Sequence, residues 1–195
     1  GETHHGCFDA LFLSEIPGFT VLCPSSFQEL RHMLRQALFE IPGPVAIRYP
    51  RGGEGAYKED LSSQVVARLR QGEDLTLLGY GVMINHLLEA AELLEKQGIH
   101  AGVVKLSRIS PLDYGPELGA GDTLLVAEDS FGAGCVGQRV AAILAEQGKA
   151  PRKLILKNLG KTYAPEGSVP QLEHSFGLDA QGIVTAVLEA REHEQ

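Results

Sequence analysis

The stretch Leu75-Thr76-Leu77-Leu78-Gly79-Tyr80-Gly81 decides the fold class of this 195-residue chain. A short apolar run that ends in a glycine-containing turn is typical of a buried strand leading into a helix. The helix is predicted over residues 82–97, with Gly98 as its C-terminal cap. A second apolar run at 101–106 predicts the next strand. Strand, helix and strand in this order predict two parallel strands joined by a right-handed crossover.

The same alternation continues towards the end of the chain. Strands are predicted at 123–127 and 153–156, a helix is predicted at 136–146, and Asp179 is predicted to cap a last helix. Four short strands that alternate with helices predict a doubly wound, parallel α/β sheet over residues 73–195.

The first part of the chain shows this pattern on a smaller scale. Apolar runs at 19–23 and 45–48 flank a segment of helical periodicity, which predicts a second strand-helix-strand unit within residues 1–52. Residues 53–72 are rich in glycine and charge, and we interpret them as a linker that contains one short amphipathic segment. The fold class predicted is therefore α/β, with two parallel-sheet units of which the second, 73–195, is complete.

Composition excludes several classes of protein. A formal net charge of −8 argues against a nucleic-acid partner, which requires a basic face. No apolar stretch approaches the roughly 20 residues of a membrane span, and the start carries no signal-peptide pattern. Cys7, Cys23 and Cys135 are too few and too scattered for a disulfide framework, so we expect a reducing, cytoplasmic setting. Because no apolar stretch is long enough to span a membrane, we expect no membrane partner.

Two polar motifs frame the first unit and indicate a functional site. Thr3-His4-His5-Gly6-Cys7-Phe8-Asp9 places adjacent imidazoles on a loop, and Arg48-Tyr49-Pro50-Arg51-Gly52 ends a predicted strand with two guanidinium groups. Imidazole exchanges protons near neutral pH, and guanidinium binds phosphate or carboxylate. Ligands of parallel sheets bind at the carboxyl ends of the strands. The motifs predict a site for a small anionic substrate whose reaction needs proton transfer.

These motifs resemble those of 1-deoxy-D-xylulose-5-phosphate synthases, a family of thiamine-diphosphate enzymes related to transketolase. The resemblance continues in order along nearly the whole chain, through Pro111-Leu112-Asp113 and Gly132-Ala133-Gly134. It implies that residues 1–52 are the second half of a transketolase-like pyrimidine-binding domain and that 73–195 are a transketolase C-terminal-like domain. Because the chain does not begin with Met and the family's enzyme is longer, we interpret it as a C-terminal fragment.

The resemblance also implies an activity. The intact transferase would condense pyruvate with glyceraldehyde 3-phosphate and release CO2, a step of isoprenoid and thiamine biosynthesis. Thiamine diphosphate and Mg2+ would be the cofactors, held mostly by residues absent from this chain. His4 matches the family's active-site histidine, and Arg51 matches the arginine that holds the substrate phosphate. We expect a homodimer for the intact enzyme and no activity for the fragment alone.

Other polar residues have less specific interpretations. We expect a structural role for His5, and we expect Arg48 to pair with a carboxylate or with the neighbouring domain. Glu128 and Asp129 follow a predicted strand, where paired carboxylates can act as acid and base but more often cap a turn or pair with an arginine. Cys135 precedes a predicted helix, whose N-terminus is expected to lower the pKa of its thiol somewhat. No base partner is visible, so we do not expect it to act as a nucleophile.

The strongest competing signal is the segment 132–137, Gly-Ala-Gly-Cys-Val-Gly, which matches the dinucleotide-binding pattern G-x-G-x-x-G. That pattern expects an acidic residue about 20 positions further on, and Leu156-Lys157-Asn158 contains none. We therefore interpret the segment as a tight turn between strand and helix. A dinucleotide-binding Rossmann domain and a non-catalytic oligomerisation module remain the alternatives.

Overall fold

The computed structural model describes residues 5–113, 115–118 and 123–192. Its strands form two sheets, one of three strands in the order β2-β1-β6 and one of five in the order β3-β5-β4-β7-β8. The strands are β1 (Thr20–Leu22), β2 (Val45–Ile47), β3 (Val66–Arg70), β4 (Leu75–Tyr80), β5 (Ala101–Leu106), β6 (Arg108–Ser110), β7 (Thr123–Ala127) and β8 (Lys153–Lys157). The α-helices are α1 (Asp9–Phe12), α2 (Phe27–Phe39), α3 (Met83–Glu95), α4 (Val136–Glu146), α5 (Val169–Phe176) and α6 (Ala180–Glu192). This architecture confirms the predicted α/β class.

The five-stranded sheet forms the centre of the molecule. Strands β5, β4, β7 and β8 pair in parallel, and every residue of β4 is buried. Helices α3 and α6 contribute buried apolar side chains such as Leu87 and Ile183 to the same core cluster as Leu77. The continuous apolar runs of the sequence are explained by this burial on both faces.

The segment predicted as a linker, 53–72, is more ordered than that interpretation suggests. It contains β3, which pairs antiparallel with β5, and Tyr57, which is 6% exposed and belongs to the core. The side chains of β3 are mostly only half-buried, as expected for an edge strand, so its apolar signal in the sequence is weak. The amphipathic segment within the predicted linker is thus an edge strand. The predicted domain boundaries stay a prediction.

The two sheets are tied together by β6. This strand follows β5 directly in the chain but pairs antiparallel with β1 in the three-stranded sheet. The two sheets also share a core, because Val21 and Cys23 pack in one cluster with Tyr80 and Leu106. The first unit therefore rests on the second along a continuous apolar contact.

Across the described parts of the chain, none of the helices combines the length and apolar character that crossing a membrane would require.

Candidate functional site

A cleft of about 440 Å³ lies where the first unit meets the second. The first unit contributes His5, Arg48 and Arg51 to its lining, and the second contributes Asp129 and Glu173. The structure thus brings together residues from both of the polar motifs that the sequence singled out. His4, the residue matched to the family's active-site histidine, lies outside the described residues.

His5 fastens the first motif to the second unit. Its Nε2 lies 3.1 Å from the carbonyl oxygen of Ala164, and because a carbonyl can only accept, Nε2 carries the proton in this contact. The ring also makes an edge-on contact with Tyr163, at 5.8 Å between centroids. Its buried Nδ1 has no hydrogen-bond partner among the described residues. These contacts support the structural role predicted for His5.

Arg48 is held by the second unit, as the sequence predicted. Its Nη1 donates to the Asp129 carboxylate at 2.7 Å and its Nη2 to the Asp129 carbonyl oxygen at 3.2 Å. The guanidinium carbon lies 5.8 Å from the centroid of the Tyr80 ring. Burial by itself would lower the pKa of Arg48, but the Asp129 carboxylate raises that pKa above its ordinary value. Arg48 is therefore a permanent cation whose charge is matched within the protein.

Arg51 differs from Arg48 although only two residues separate them. It is exposed at the cleft, and it makes no hydrogen bond or ion pair with the residues that the structure describes. A guanidinium in this state keeps all of its donors available to a ligand. Arg48 is thus bound to a protein carboxylate, whereas the donors of Arg51 are available to bind an anion.

Glu128 caps a helix and is not placed to act as an acid or base in the cleft. Its side chain is fully buried and accepts from the backbone N–H groups of Val136 at 3.1 Å and Gly137 at 2.9 Å. It also accepts from the Tyr80 hydroxyl at 2.9 Å. The first N–H groups of α4 are therefore satisfied by a protein carboxylate. A dinucleotide phosphate would need those same donors, which disfavours the Rossmann alternative.

The third glycine of the G-x-G-x-x-G segment has a packing role. A Cβ on Gly137 would lie 2.5 Å from Leu156 Cδ2 and 3.0 Å from Val126 Cβ. The glycine is thus required for α4 to lie close against β7 and β8. Cys135, immediately before the helix, is buried, and burial together with the Glu128 carboxylate raises the pKa of its thiol to about 11. It is a neutral thiol at physiological pH, so the lowered pKa expected from its place beside a helix N-terminus is wrong, because burial outweighs the helix dipole.

Sequence reasoning missed a buried ionic contact between the units. The Nζ of Lys105 lies 3.0 Å from Glu29 Oε1, and both side chains are 0% exposed. Two signals could have pointed to it. Lys105 interrupts an otherwise apolar strand, and Glu29 stands three residues after Ser26, the spacing of a capping box. Neither signal reveals the partner, which lies far away in the chain.

No group of three or more His, Cys, Asp or Glu side chains within the described ranges is arranged to hold a metal ion. Within these residues, the cleft therefore provides cationic and imidazole groups without a cluster of ligands for Mg2+.

Comparisons with known proteins agree with this geometry. The family model for the transketolase C-terminal domain matches residues 64–183, and the model for the transketolase pyrimidine binding domain matches residues 1–53. Together these two matches cover both units that form the cleft.

Two curated relatives carry the same name. The chain is 40% identical to 1-deoxy-D-xylulose-5-phosphate synthase of Chlorobium luteolum over 97% of its own length and 31% of that protein. It is 38% identical to the enzyme of the same name from Heliobacterium modesticaldum, again over 97% of this chain and 30% of that one. The chain thus spans about a third of the length of these relatives.

A solved structure shows the same fold. It is described as a split gene transketolase in an inactive beta4 tetramer, with a TM-score of 0.74 and 26% sequence identity to this chain. The match covers 97% of this chain and 62% of the other. With a structural match that covers 97% of this chain and a C-terminal domain model that matches more than half of its sequence, the chain belongs to the transketolase family.

Proposed function

We propose that this chain is the C-terminal part of a thiamine-diphosphate-dependent transferase that condenses pyruvate with glyceraldehyde 3-phosphate. The product would be 1-deoxy-D-xylulose 5-phosphate, formed with loss of CO2. The names of the relatives support this proposal, because these relatives align with nearly the whole chain. The observation that carries the proposal is the contrast between the two arginines at the cleft. Arg48 forms an ion pair with Asp129, whereas Arg51 has no partner among the described residues.

In this proposal, Arg51 binds the phosphate of the aldehyde. A planar, permanently charged donor set suits phosphate, and Arg51 presents one at the cleft without a competing protein carboxylate in the described residues. Arg48 is unsuited to the task, because Asp129 already occupies its Nη1. Binding at the remote phosphate would position the aldehyde carbon for the reaction.

His4 is the proposed proton-transfer residue. It immediately precedes His5, whose ring is tied to Ala164 at the cleft. An imidazole in this position would hydrogen-bond the reacting oxygens and exchange protons near neutral pH. The role rests on the match of the motif, since His4 itself lies outside the described residues.

The described residues do not fit a complete thiamine diphosphate site. Thiamine diphosphate would supply the electron sink for decarboxylation, and its diphosphate requires Mg2+ ligands. The described ranges contain no suitable acidic cluster, so we derive no step through the cofactor. We propose that the remaining part of the intact enzyme supplies these ligands and that the chain alone is inactive. We further propose that the intact enzyme is a homodimer; association of such chains has a precedent in the tetrameric structural neighbour.

The decisive experiment is Arg51→Ala in the intact enzyme. Loss of a charge-assisted phosphate contact should lower kcat/KM for glyceraldehyde 3-phosphate roughly a hundredfold. Use of unphosphorylated glyceraldehyde should change far less, because that aldehyde has no phosphate to lose contact with. Steady-state kinetics with both aldehydes measure the difference.

The matched control is Arg31→Ala, which removes an exposed arginine from α2, outside the cleft lining. We expect kinetics close to those of the unaltered enzyme. The isolated 195-residue chain with thiamine diphosphate and Mg2+ is the negative control. Equal losses for the two aldehydes in Arg51→Ala would show that this residue does not hold phosphate.

A further inference from the structure

We propose that the turn after β7, residues 129–131, positions both polar motifs of the cleft, and that Asp129 is the positioning residue that acts through Arg48. We refer to Asp129-Ser130-Phe131 as the β7 turn. The inference assigns a role at the site to the second unit, whose residues the two motifs do not include. The expected change in KM rests on the proposed function, whereas the expected loss of backbone order in the two motifs does not.

The β7 turn holds the arginine motif through Asp129. Arg48 receives two contacts from this one residue, at 2.7 Å to the carboxylate and 3.2 Å to the backbone carbonyl. Two donors of the same guanidinium are thereby fixed to one partner, which restricts rotation of the side chain. Tyr49-Pro50-Arg51 follows directly, and Pro50 limits the backbone between the two arginines. Fixing Arg48 thus fixes the start of a short segment that ends at Arg51.

The same turn holds the histidine motif through Phe131. The Phe131 backbone N–H donates to the carbonyl oxygen of Cys7 at 3.1 Å. The rings of Phe131 and Phe8 lie 5.2 Å apart, within the range of aromatic contact. Arg48 adds a longer contact from Nη2 to the carbonyl oxygen of Gly6, at 3.5 Å. The residues that follow His4 and His5 are thus bound to the β7 turn at two points and to Arg48 at a third.

The turn itself is anchored in the core. Ser130 is fully buried and donates to the Glu128 carboxylate at 2.7 Å. Glu128 in turn accepts from the N–H groups at the start of α4 and from the Tyr80 hydroxyl. The Tyr80 ring lies under the Arg48 guanidinium. A rigid network therefore supports the β7 turn, which is what a positioning element requires.

Asp129 also separates the roles of the two arginines. By matching the charge of Arg48, it leaves Arg51 as the uncompensated cation of the motif. Removal of Asp129 would release Arg48 and loosen the segment that carries Arg51. The effect should therefore appear mainly in the KM for the phosphorylated substrate.

The first test measures order in the 195-residue chain itself by 15N NMR relaxation. In Asp129→Ala, backbone order parameters at residues 5–8 and at Tyr49 and Arg51 should fall from near 0.85 to below about 0.6, while β4 and β5 keep their values. Asp129→Asn keeps an acceptor for Arg48 and should show a smaller fall in the same two segments. Glu95→Ala, which removes the carboxylate partner of Arg70 elsewhere, should change neither segment.

Unchanged order parameters in both segments of Asp129→Ala would overturn the inference. If that variant does not fold, Asp129→Asn decides, and unchanged values in it would likewise overturn the inference. A fall in both segments supports it, whatever substrate the intact enzyme uses.

The second test uses kinetics of the intact enzyme. Asp129→Ala should raise the KM for glyceraldehyde 3-phosphate about tenfold and change kcat less than about threefold. An effect of this size is expected when one member of an interacting pair of residues is removed. In an Arg48→Met background the same substitution should change KM less than about twofold, because its partner is gone. An undiminished effect in that background would overturn action through Arg48. If the unaltered enzyme does not use this aldehyde, the proposed function fails and the relaxation result still decides the positioning role.

Discussion

Within the described residues, two ion pairs join the units of this molecule, and they differ in burial. In the inner pair, Glu29 and Lys105 have side chains that are each 0% exposed. In the rim pair, the side chains of Arg48 and Asp129 are 15% and 36% exposed. The inner pair is sealed from ligands, whereas the rim pair borders the cleft. The difference indicates that one contact fixes how the units sit together and the other shapes the site.

The inner pair is supported by further hydrogen bonds. Glu29 accepts from the Ser25 N–H at 2.7 Å, the Leu61 N–H at 3.1 Å and the Tyr57 hydroxyl at 3.3 Å, and Lys105 donates to the Ser107 hydroxyl at 2.6 Å. Burial lowers the pKa of Lys105, although the Glu29 carboxylate opposes that shift. A buried ion pair with this many partners adds little net stability compared with apolar packing, but removal of one member is costly.

The largest effect expected from this comparison is that of Glu29→Ala. It leaves the Lys105 charge buried without a counterion, which should lower the free energy of unfolding by about 3–5 kcal/mol. Urea unfolding of the chain measures the change. Glu95→Ala, which breaks the exposed contacts with Arg70 and His100, is the matched control and should cost no more than about 1 kcal/mol. A loss of similar size in both variants would contradict the distinction between buried and exposed pairs.

A smaller effect is expected for Tyr57→Phe. This substitution keeps the buried ring and removes only the hydroxyl that donates to Glu29. The free energy of unfolding should fall by about 1 kcal/mol, as for one hydrogen bond. Because Tyr57 lies in the segment predicted as a linker, the same urea titration tests whether that segment contributes to the inner contact. An unchanged unfolding midpoint would show that it does not.

The smallest effect concerns His86 and Glu173, which lie 3.2 Å apart and of which Glu173 lines the cleft. The hydrogen bond to Glu173 raises the pKa of His86 above 6.5, and burial opposes that shift. Because the pKa is higher in the folded state, the pair stabilises the chain below pH 6.5, and this contribution is lost as the pH rises through the raised value. We expect less than about 1 kcal/mol.

Histidine ring signals in NMR spectra recorded across this pH range measure the His86 pKa directly. In Glu173→Gln the value should return towards 6.5, and the stability gained on lowering the pH should shrink. A His86 pKa that does not respond to Glu173→Gln would contradict the assigned cause.

The sequence predicts those parts of the fold that depend on local pattern. The helix predicted at 136–146 is α4 and the strand predicted at 123–127 is β7, because continuous apolar runs and helical spacing are local signals. Strand β6 was not predicted, since its three residues, Arg-Ile-Ser, carry no such run and gain their partner only through β1. Pairing between distant segments leaves no mark on either segment alone.

The same limit applies to the site. The end of a parallel strand and the chemistry of guanidinium suffice to place Arg48 and Arg51 at a cleft and to predict that Arg48 is paired. These two signals do not identify Asp129 as the partner of Arg48. The two residues are 81 positions apart, and the sequence between them contains other carboxylates. The contact between His5 and Ala164 is longer still, at 159 positions, and no sequence pattern announces it.

The placement of β6 has a consequence for synthesis on the ribosome. The three-stranded sheet takes β1 and β2 from residues 20–47 but its third strand from residues 108–110. The first unit therefore cannot complete its sheet while it is the only part of the chain outside the exit tunnel. Domains usually fold as units in the order in which they emerge. In this chain, β1 gains its antiparallel partner only after β6 has also emerged. Emergence of residue 110 from the exit tunnel is thus the earliest point at which β6 can pair with β1.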